Sequence, residues 1–269
     1  MGTKDSERSE RDGGASPDAM RGVEERAVSG YIDLHCHPLP GIDDGCRTAE
    51  EGALVLAGLA KLGFRVVVAT PHVRCPTWDN RPETVAPARQ ALEAAMSALA
   101  AQGEAMPEFF TAAEHLFDDV SWERLTTNAA MMLPGGRAAL VELPYDRLPM
   151  KLELRIWRLL KTHKITAVVA HPERCSALTS SEEALEQVIA AGAKLQLDVM
   201  SLTGAYGSTA REAAKRWVAK GRYTLAATDA HKPSDVPKVG EAIEALRSLG
   251  GDAAVAKLFV EGPSSLVAV

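Results

Sequence analysis

A chain of 269 residues, 46% hydrophobic and 25% charged, is long enough for one large α/β domain with a well-buried core and has the composition of an ordinary globular protein. The formal charge of -6 and the scatter of Lys and Arg residues exclude a nucleic-acid surface, so any cation that attracts an anionic substrate must be local. Four cysteines at irregular spacings, with no C-x-x-C pair, exclude a disulfide framework and a zinc knuckle and point to a reducing compartment.

Residues 1–29 mix charges with Gly and Ser and hold almost nothing to bury. They are expected to form a disordered tail ahead of a single domain over 30–269. Neither an apolar leader region nor a segment of bilayer length is present, which predicts a cytoplasmic protein without stable membrane insertion. From Tyr31 onward, short β-branched or aliphatic runs alternate with longer amphipathic ones, the pattern of βα units around a parallel sheet. Strands are expected at 31–35, 65–70, 108–113, 138–142, 167–170, 194–198 and 223–228. Helices are expected near 49–62, 83–102, 150–163, 181–191, 208–220 and 238–248. Thr48 with Glu51, and Ser180 with Glu183, have capping-box spacing, and Gly63, Gly192 and Gly221 stand where helix ends need a left-handed residue. Seven βα steps predict a closed or nearly closed (βα)7 barrel.

The residues that close the apolar runs carry the chemistry. Asp33, His35 and His37 alternate along the first strand and are expected to share a face. Later runs end in Thr70-Pro71-His72, Glu114, Glu142, His171, Asp198 and Asp229-Ala230-His231. A barrel gathers such strand ends at one mouth, so five of the seven histidines converge there with several carboxylates. His163 is read as a helix C-terminal cation and His115 as a neighbour of the site without a role. A set rich in His and carboxylate, with no thiolate, favours Mn, Fe or Zn, and it exceeds what one ion can take. Two or three ions at such a mouth point to hydrolysis of an anionic ester.

The stretch from Asp33 to His37, continued by Leu39-Pro40-Gly41-Ile42-Asp43-Asp44-Gly45, resembles the polymerase and histidinol phosphatase (PHP) superfamily. Within it, the chain is similar to the bacterial protein-tyrosine phosphatases that accompany capsular and exopolysaccharide tyrosine kinases. The resemblance implies a distorted seven-stranded TIM-like barrel that holds three divalent ions, often manganese. His35, His37, Glu114 and Asp229 would bind one ion, and Glu114 would bridge to a second held by Glu142 and His171. Asp44, His72 and His231 would hold the third, with Asp43 shaping the turn. Arg174, Asp229 and His231 would act in catalysis, and Arg174 would grip the substrate phosphate as a planar fork. The implied reaction is attack on phosphotyrosine by metal-activated hydroxide without a phosphoenzyme, the partner being a phosphorylated tyrosine kinase. Other PHP phosphoesterase chemistry, such as histidinol-phosphate hydrolysis, is the alternative, and a non-catalytic metal-binding or kinase-docking protein is a further one.

Two positions depart from that pattern. Val236 stands where an arginine is usual, which leaves Lys232, Lys238 or Arg74 to supply a second phosphate-binding cation. Asp198 stands where an asparagine is usual. A separate reading comes from Cys75 to Arg81, which match C-x5-R. Pro76 has no amide hydrogen, Asp79 repels an anion and no glycine permits the curl, so a cysteine phosphatase loop is not expected. Trp78 is available either to a substrate ring or to the barrel wall.

Overall fold

The computed structural model describes residues 30–269; the tail expected at 1–29 lies outside them. Short apolar runs form parallel strands that follow one another round a ring, beginning with β1 (Tyr31–Cys36) beside β2 (Phe64–Ala69) and β5 (Glu108–Thr111). The two last strands each break and resume. Phe64–Ala69 stops at Thr70-Pro71 and continues as β3 (His72–Arg74), and Glu108–Thr111 stops at two alanines and continues as β6 (Glu114–Leu116). Pro71 has no amide hydrogen to give a ladder, so it sits where the ladder is interrupted. The short β4 (Trp78–Asp79) turns back antiparallel on β3. From β6 the ring runs through β7 (Ala138–Glu142), β8 (Thr166–Ala170), β9 (Lys194–Asp198) and β10 (Leu225–Ala227). Backbone bonds from Asp229 to His35 (2.8 Å) and from His37 to Ala230 (2.9 Å) close the end on β1. Counting each broken strand once, seven staves make the expected barrel.

One apolar cluster contains Ile32, Leu34, Val66, Val68, Leu140, Val168 and Leu225 but no residue of the surrounding helices, and so fills the barrel. A larger one binds the strands to α1 (Ala49–Lys61), α2 (Pro82–Ala100), α4 (Leu152–Arg158), α6 (Glu182–Ala190), α7 (Gly207–Ala219) and α8 (Val236–Ala256). Two short helices, α3 (Asp119–Thr126) and α5 (Ser176–Thr179), were not expected. Thr48 caps α1 as expected, but the cap of α6 is Ser181, which accepts from the Ala184 amide, so the start is one residue later than Ser180. Gly63, Gly192 and Gly221 all take positive φ at their helix ends. Among the described residues no helix is long and apolar enough to cross a membrane.

Candidate metal centre

Alternation along β1 does not hold to its end. A register shift between Asp33 and Cys36 resets the pattern, as an extra residue in a strand does, and separates Asp33 from the two histidines. The Asp33 carboxylate is taken up by Thr228, at 3.0 Å from its amide and 2.5 Å from its hydroxyl, and serves the seam between β1 and β10. Burial pushes its pKa up to about 6. His35 and His37 turn inward to the mouth.

The two imidazoles are held from behind. His35 Nδ1 meets Gln196 Oε1 at 2.8 Å, and the Gln196 amide donates to the Leu197 carbonyl, which fixes its orientation. His37 Nδ1 meets Asp43 Oδ2 at 2.8 Å. Each Nδ1 therefore carries the proton, and each Nε2 presents a lone pair. Those two Nε2 atoms lie 3.1 Å apart, with Asp229 Oδ1 at 3.1 and 3.3 Å and Glu114 Oε2 at 3.2 and 3.6 Å. Four acceptor atoms buried from water and facing one another need a positive charge between them. Without an ion, protons are drawn to the same place. Burial opposes the charge on His35, but Glu114 and Asp229 outweigh it and push the pKa up to about 10. Burial likewise opposes the charge on His72, and Glu114 with Asp44 raises it to about 11. The donor set fits divalent ions.

Glu114 is the hub. Its Oε1 lies 3.0 Å from His171 Nε2 and its Oε2 2.8 Å from His72 Nδ1. Burial would raise its pKa, yet His35 and His72 hold it well below the carboxylate range. Asp44 approaches His72 and His231 at 3.3 and 3.4 Å, and His231 Nδ1 donates to the Asp229 carbonyl at 2.7 Å, leaving its Nε2 free toward Asp44. Among the described residues, four sets place their ligand atoms within 4.8 Å of one another: His37, Asp44, His72 and His231; His35, Glu114 and His171; His35, His37 and Asp229; His72, Glu114 and Glu142. All nine expected ligands thus gather at one mouth. Their grouping differs from the expected one: His37 also joins Asp44, His72 and His231, His35 joins Glu114 and His171, and Glu142 joins His72 rather than His171. His171 and Asp229 take φ of 30 and 50°, strained values for side chains other than glycine, of the kind that functional sites retain.

Arg174 projects beside this cluster. Its Nη1 donates to Asp229 Oδ2 at 2.7 Å and lies 3.5 Å from Asp198 Oδ2, and its Nη2 donates to the Tyr145 hydroxyl at 2.7 Å. The guanidinium stands 4.2 Å from the Tyr206 ring centre and 5.3 Å from that of Tyr145. Arg174, Asp229 and His231 line a groove of about 630 Å³ with Arg47, Lys232 and Lys238 on its rim. Val236 faces away from it. A Cβ on Gly58 of α1 would come within 2.8 Å of Val236 Cγ1, so that side chain packs on the helix layer. Lys238 is tied to Asp235 at 2.9 Å, and Arg74 is paired with Glu142. Lys232 is exposed on the rim without a carboxylate partner among the described residues.

Several residues acquire parts that the sequence did not assign. Asp43 does more than shape its turn, because it orients His37 and also accepts from the His72 amide at 3.1 Å. Gln196 sits on the same strand face as Asp198, a polar alternation inside an apolar run that could have flagged it. Tyr145, Tyr206 and Arg47 come from loops and left no such signal. His115 is buried with its pKa lowered to about 4, mainly by desolvation, and bonds to the Met131 carbonyl away from the cluster. Trp78 stacks on His72 at 5.1 Å and 14°. The thiol of Cys75 is pushed up by burial and by Asp79, and Arg81 bonds to Asp79, so the C-x5-R stretch builds no activated thiolate.

Fold and site together define a parallel (βα) barrel with a multi-ligand metal mouth of the hydrolase kind. Residues 31–268 match the family described as capsular polysaccharide synthesis, CpsB/CapC, and the chain belongs to that family. It is 26% identical to the tyrosine-protein phosphatase YwqE of Bacillus subtilis (strain 168) over 200 residues, 74% of this chain and 77% of that protein. It is 25% identical to the tyrosine-protein phosphatase CpsB of Streptococcus pneumoniae over 247 residues, 88% and 98% of the two chains. A crystal structure from work on those two proteins, described as metal-dependent tyrosine phosphatases, superposes with a TM-score of 0.72 at 24% identity, covering 84% of this chain and 94% of the other. The phosphotriesterase homology protein of Escherichia coli shares the fold at a TM-score of 0.54 and 14% identity, over 88% and 98% of the chains.

Proposed function

We propose that the protein is a metal-dependent protein-tyrosine phosphatase of capsular polysaccharide synthesis. The observation that carries this reading is the convergence of His35 Nε2, His37 Nε2, Asp229 Oδ1 and Glu114 Oε2 on one buried point next to the guanidinium of Arg174. His35, His37, Glu114 and Asp229 would hold one ion, Glu114 and His171 a second, and Asp44, His72 and His231 a third, with Glu142 standing beside Glu114 and His72 to complete the set; manganese is the first choice and iron or zinc the others. Ions bound there would supply activation of water at neutral pH and charge compensation for phosphoryl oxygens.

The chain's own residues do the rest. Arg174 offers its fork to the phosphate, and the Tyr145 and Tyr206 rings beside it fix the plane in which the fork lies. Its present partners, Asp229 and Asp198, keep the charge in place until a stronger anion arrives. Asp43, Gln196 and the Asp229 carbonyl fix the tautomers of His37, His35 and His231. Trp78, stacked at the rim over His72, offers a flat face to a substrate ring. Lys232 and Arg47 replace the arginine that Val236 displaces. No side chain needs to carry the phosphoryl group, in keeping with the unactivated Cys75 thiol.

The family and its named relatives support a tyrosine-phosphorylated protein as substrate, a bacterial tyrosine kinase of the same pathway being the partner. Purified protein loaded with manganese is expected to release phosphate from a phosphotyrosine peptide at a kcat/KM at least tenfold above that for phosphoserine peptide and histidinol phosphate. Preference for histidinol phosphate would transfer the protein to the other PHP phosphoesterases.

A further inference from the structure

Helix α4 and the π-turn that continues it (Leu159–His163) carry two apolar stripes where a helix on a barrel surface needs one. Leu152, Ile156 and Leu159 form the inner stripe, buried against the barrel. Leu154 and Trp157, at i and i+3 on the outer face, form the outer one together with Met150, which stands just ahead of the left-handed Lys151 that starts the helix, and they are 38, 47 and 79% exposed in that order. These three are among only seven large hydrophobic residues exposed in the described chain, and Tyr145 on the preceding loop is a fourth.

The surroundings of the outer stripe are basic in a chain of net negative charge. Between residues 147 and 164 the sequence holds Arg147, Lys151, Arg155, Arg158, Lys161 and Lys164 against the single acid Glu153. Arg155 pairs with Asp119 at 2.6 Å and Arg147 with Asp146 at 3.5 Å. Lys151, Arg158, Lys161 and Lys164 have no carboxylate partner among the described residues. Met150 and Leu154 overhang a shallow hollow of about 280 Å³ whose other walls are Trp122, Lys151, Arg155 and Arg158.

We propose that this face docks the protein on an anionic lipid surface, with Met150, Leu154 and Trp157 entering the headgroup layer and the four unpaired cations lying on lipid phosphates. A ridge one helix wide, tipped by Trp and Met and rimmed by Lys and Arg, suits a flat interface that is apolar just below and negative at its surface. The long stems of Lys and Arg lie along the apolar boundary while their charges stay in the headgroup layer. A second copy fits less well, since a two-fold pairing would set like charges against each other, and protein interfaces are poor in Lys. Tyr145, bonded to Arg174 at the mouth, lies on the loop that runs into this ridge, so docking holds the mouth close to the bilayer.

Sedimentation with vesicles tests this without reference to the reaction. The full chain is expected to sediment with phosphatidylcholine vesicles containing about one-third phosphatidylglycerol and to stay in solution with phosphatidylcholine alone or at about 0.5 M salt. Lys161→Gln is expected to lower the partition coefficient about fivefold, and Trp157→Ser and Met150→Ser by a comparable factor, while thermal midpoint and hydrolysis of a small soluble phosphoester stay at the parent values. Absence of sedimentation with anionic vesicles overturns the proposal. So does binding that ignores these substitutions, and so does a concentration-dependent dimer abolished by Trp157→Ser, which would give the ridge to a second copy.

Discussion

The floor of the mouth and its rim are built under different rules. Floor residues such as His35, His37, Glu114 and Asp229 are buried and stand on strands of the barrel or just after them, and the two histidines are oriented by the buried side chains of Gln196 and Asp43. Rim residues such as Arg47, Lys232 and Lys238 stand on loops or helix starts and reach into water. Buried polar groups must be satisfied, so the floor tolerates one arrangement, and its chemistry is set by the fold. The rim carries no such constraint, and substrate preference can change there while the cluster of His and carboxylate side chains stays as it is. Val236 shows the difference: a rim cation is absent, yet no ligand candidate is missing.

Breaking the floor has the largest expected effect. Glu114→Gln removes the carboxylate shared by His35, His72 and His171, and hydrolysis of phosphotyrosine is expected to fall below detection with loss of bound metal measured by elemental analysis. Arg174→Ala stands between floor and rim. It is expected to cost about 10²–10³-fold in kcat/KM while metal content stays at the parent level, because only the guanidinium that compensates the charge of the transferring phosphoryl group is lost. Asp43→Ala acts from behind the floor. Freed of its Nδ1 partner, His37 is expected to bind metal about 10–100-fold more weakly, seen as a shift in the manganese titration of activity. At the rim, Lys232→Ala is expected to raise KM about threefold to tenfold for a phosphotyrosine peptide, with kcat unchanged, as the loss of one exposed charge allows. Cys75→Ser is expected to change neither parameter.

The same division decides what could be read in advance. All seven staves were legible because each begins as a short apolar run closed by a polar residue, while their continuations β3 and β6 and the short β4 were not; the floor was legible because those closing residues are His, Asp and Glu. Asp33 was misplaced because alternation cannot reveal a register shift within the strand. Helix α3 was missed although Asp118 caps it, since only Ser121 and Leu125 of its eight residues are buried and no apolar stripe marks it. Gln196, Tyr145 and Tyr206 act through neighbours 29 to 161 residues distant, as in the bonds from Tyr145 to Arg174 and from Gln196 to His35, and local pattern carries no trace of such partners.

The most direct measurement is hydrolysis of a phosphotyrosine peptide by the parent protein and by Cys75→Ser, each before chelation, after chelation and after manganese is returned. Both are expected to lose activity on chelation and to regain it with manganese. Activity that survives chelation in the parent but is absent from Cys75→Ser would contradict this and would leave the convergence of His35, His37, Glu114 and Asp229 without a catalytic purpose.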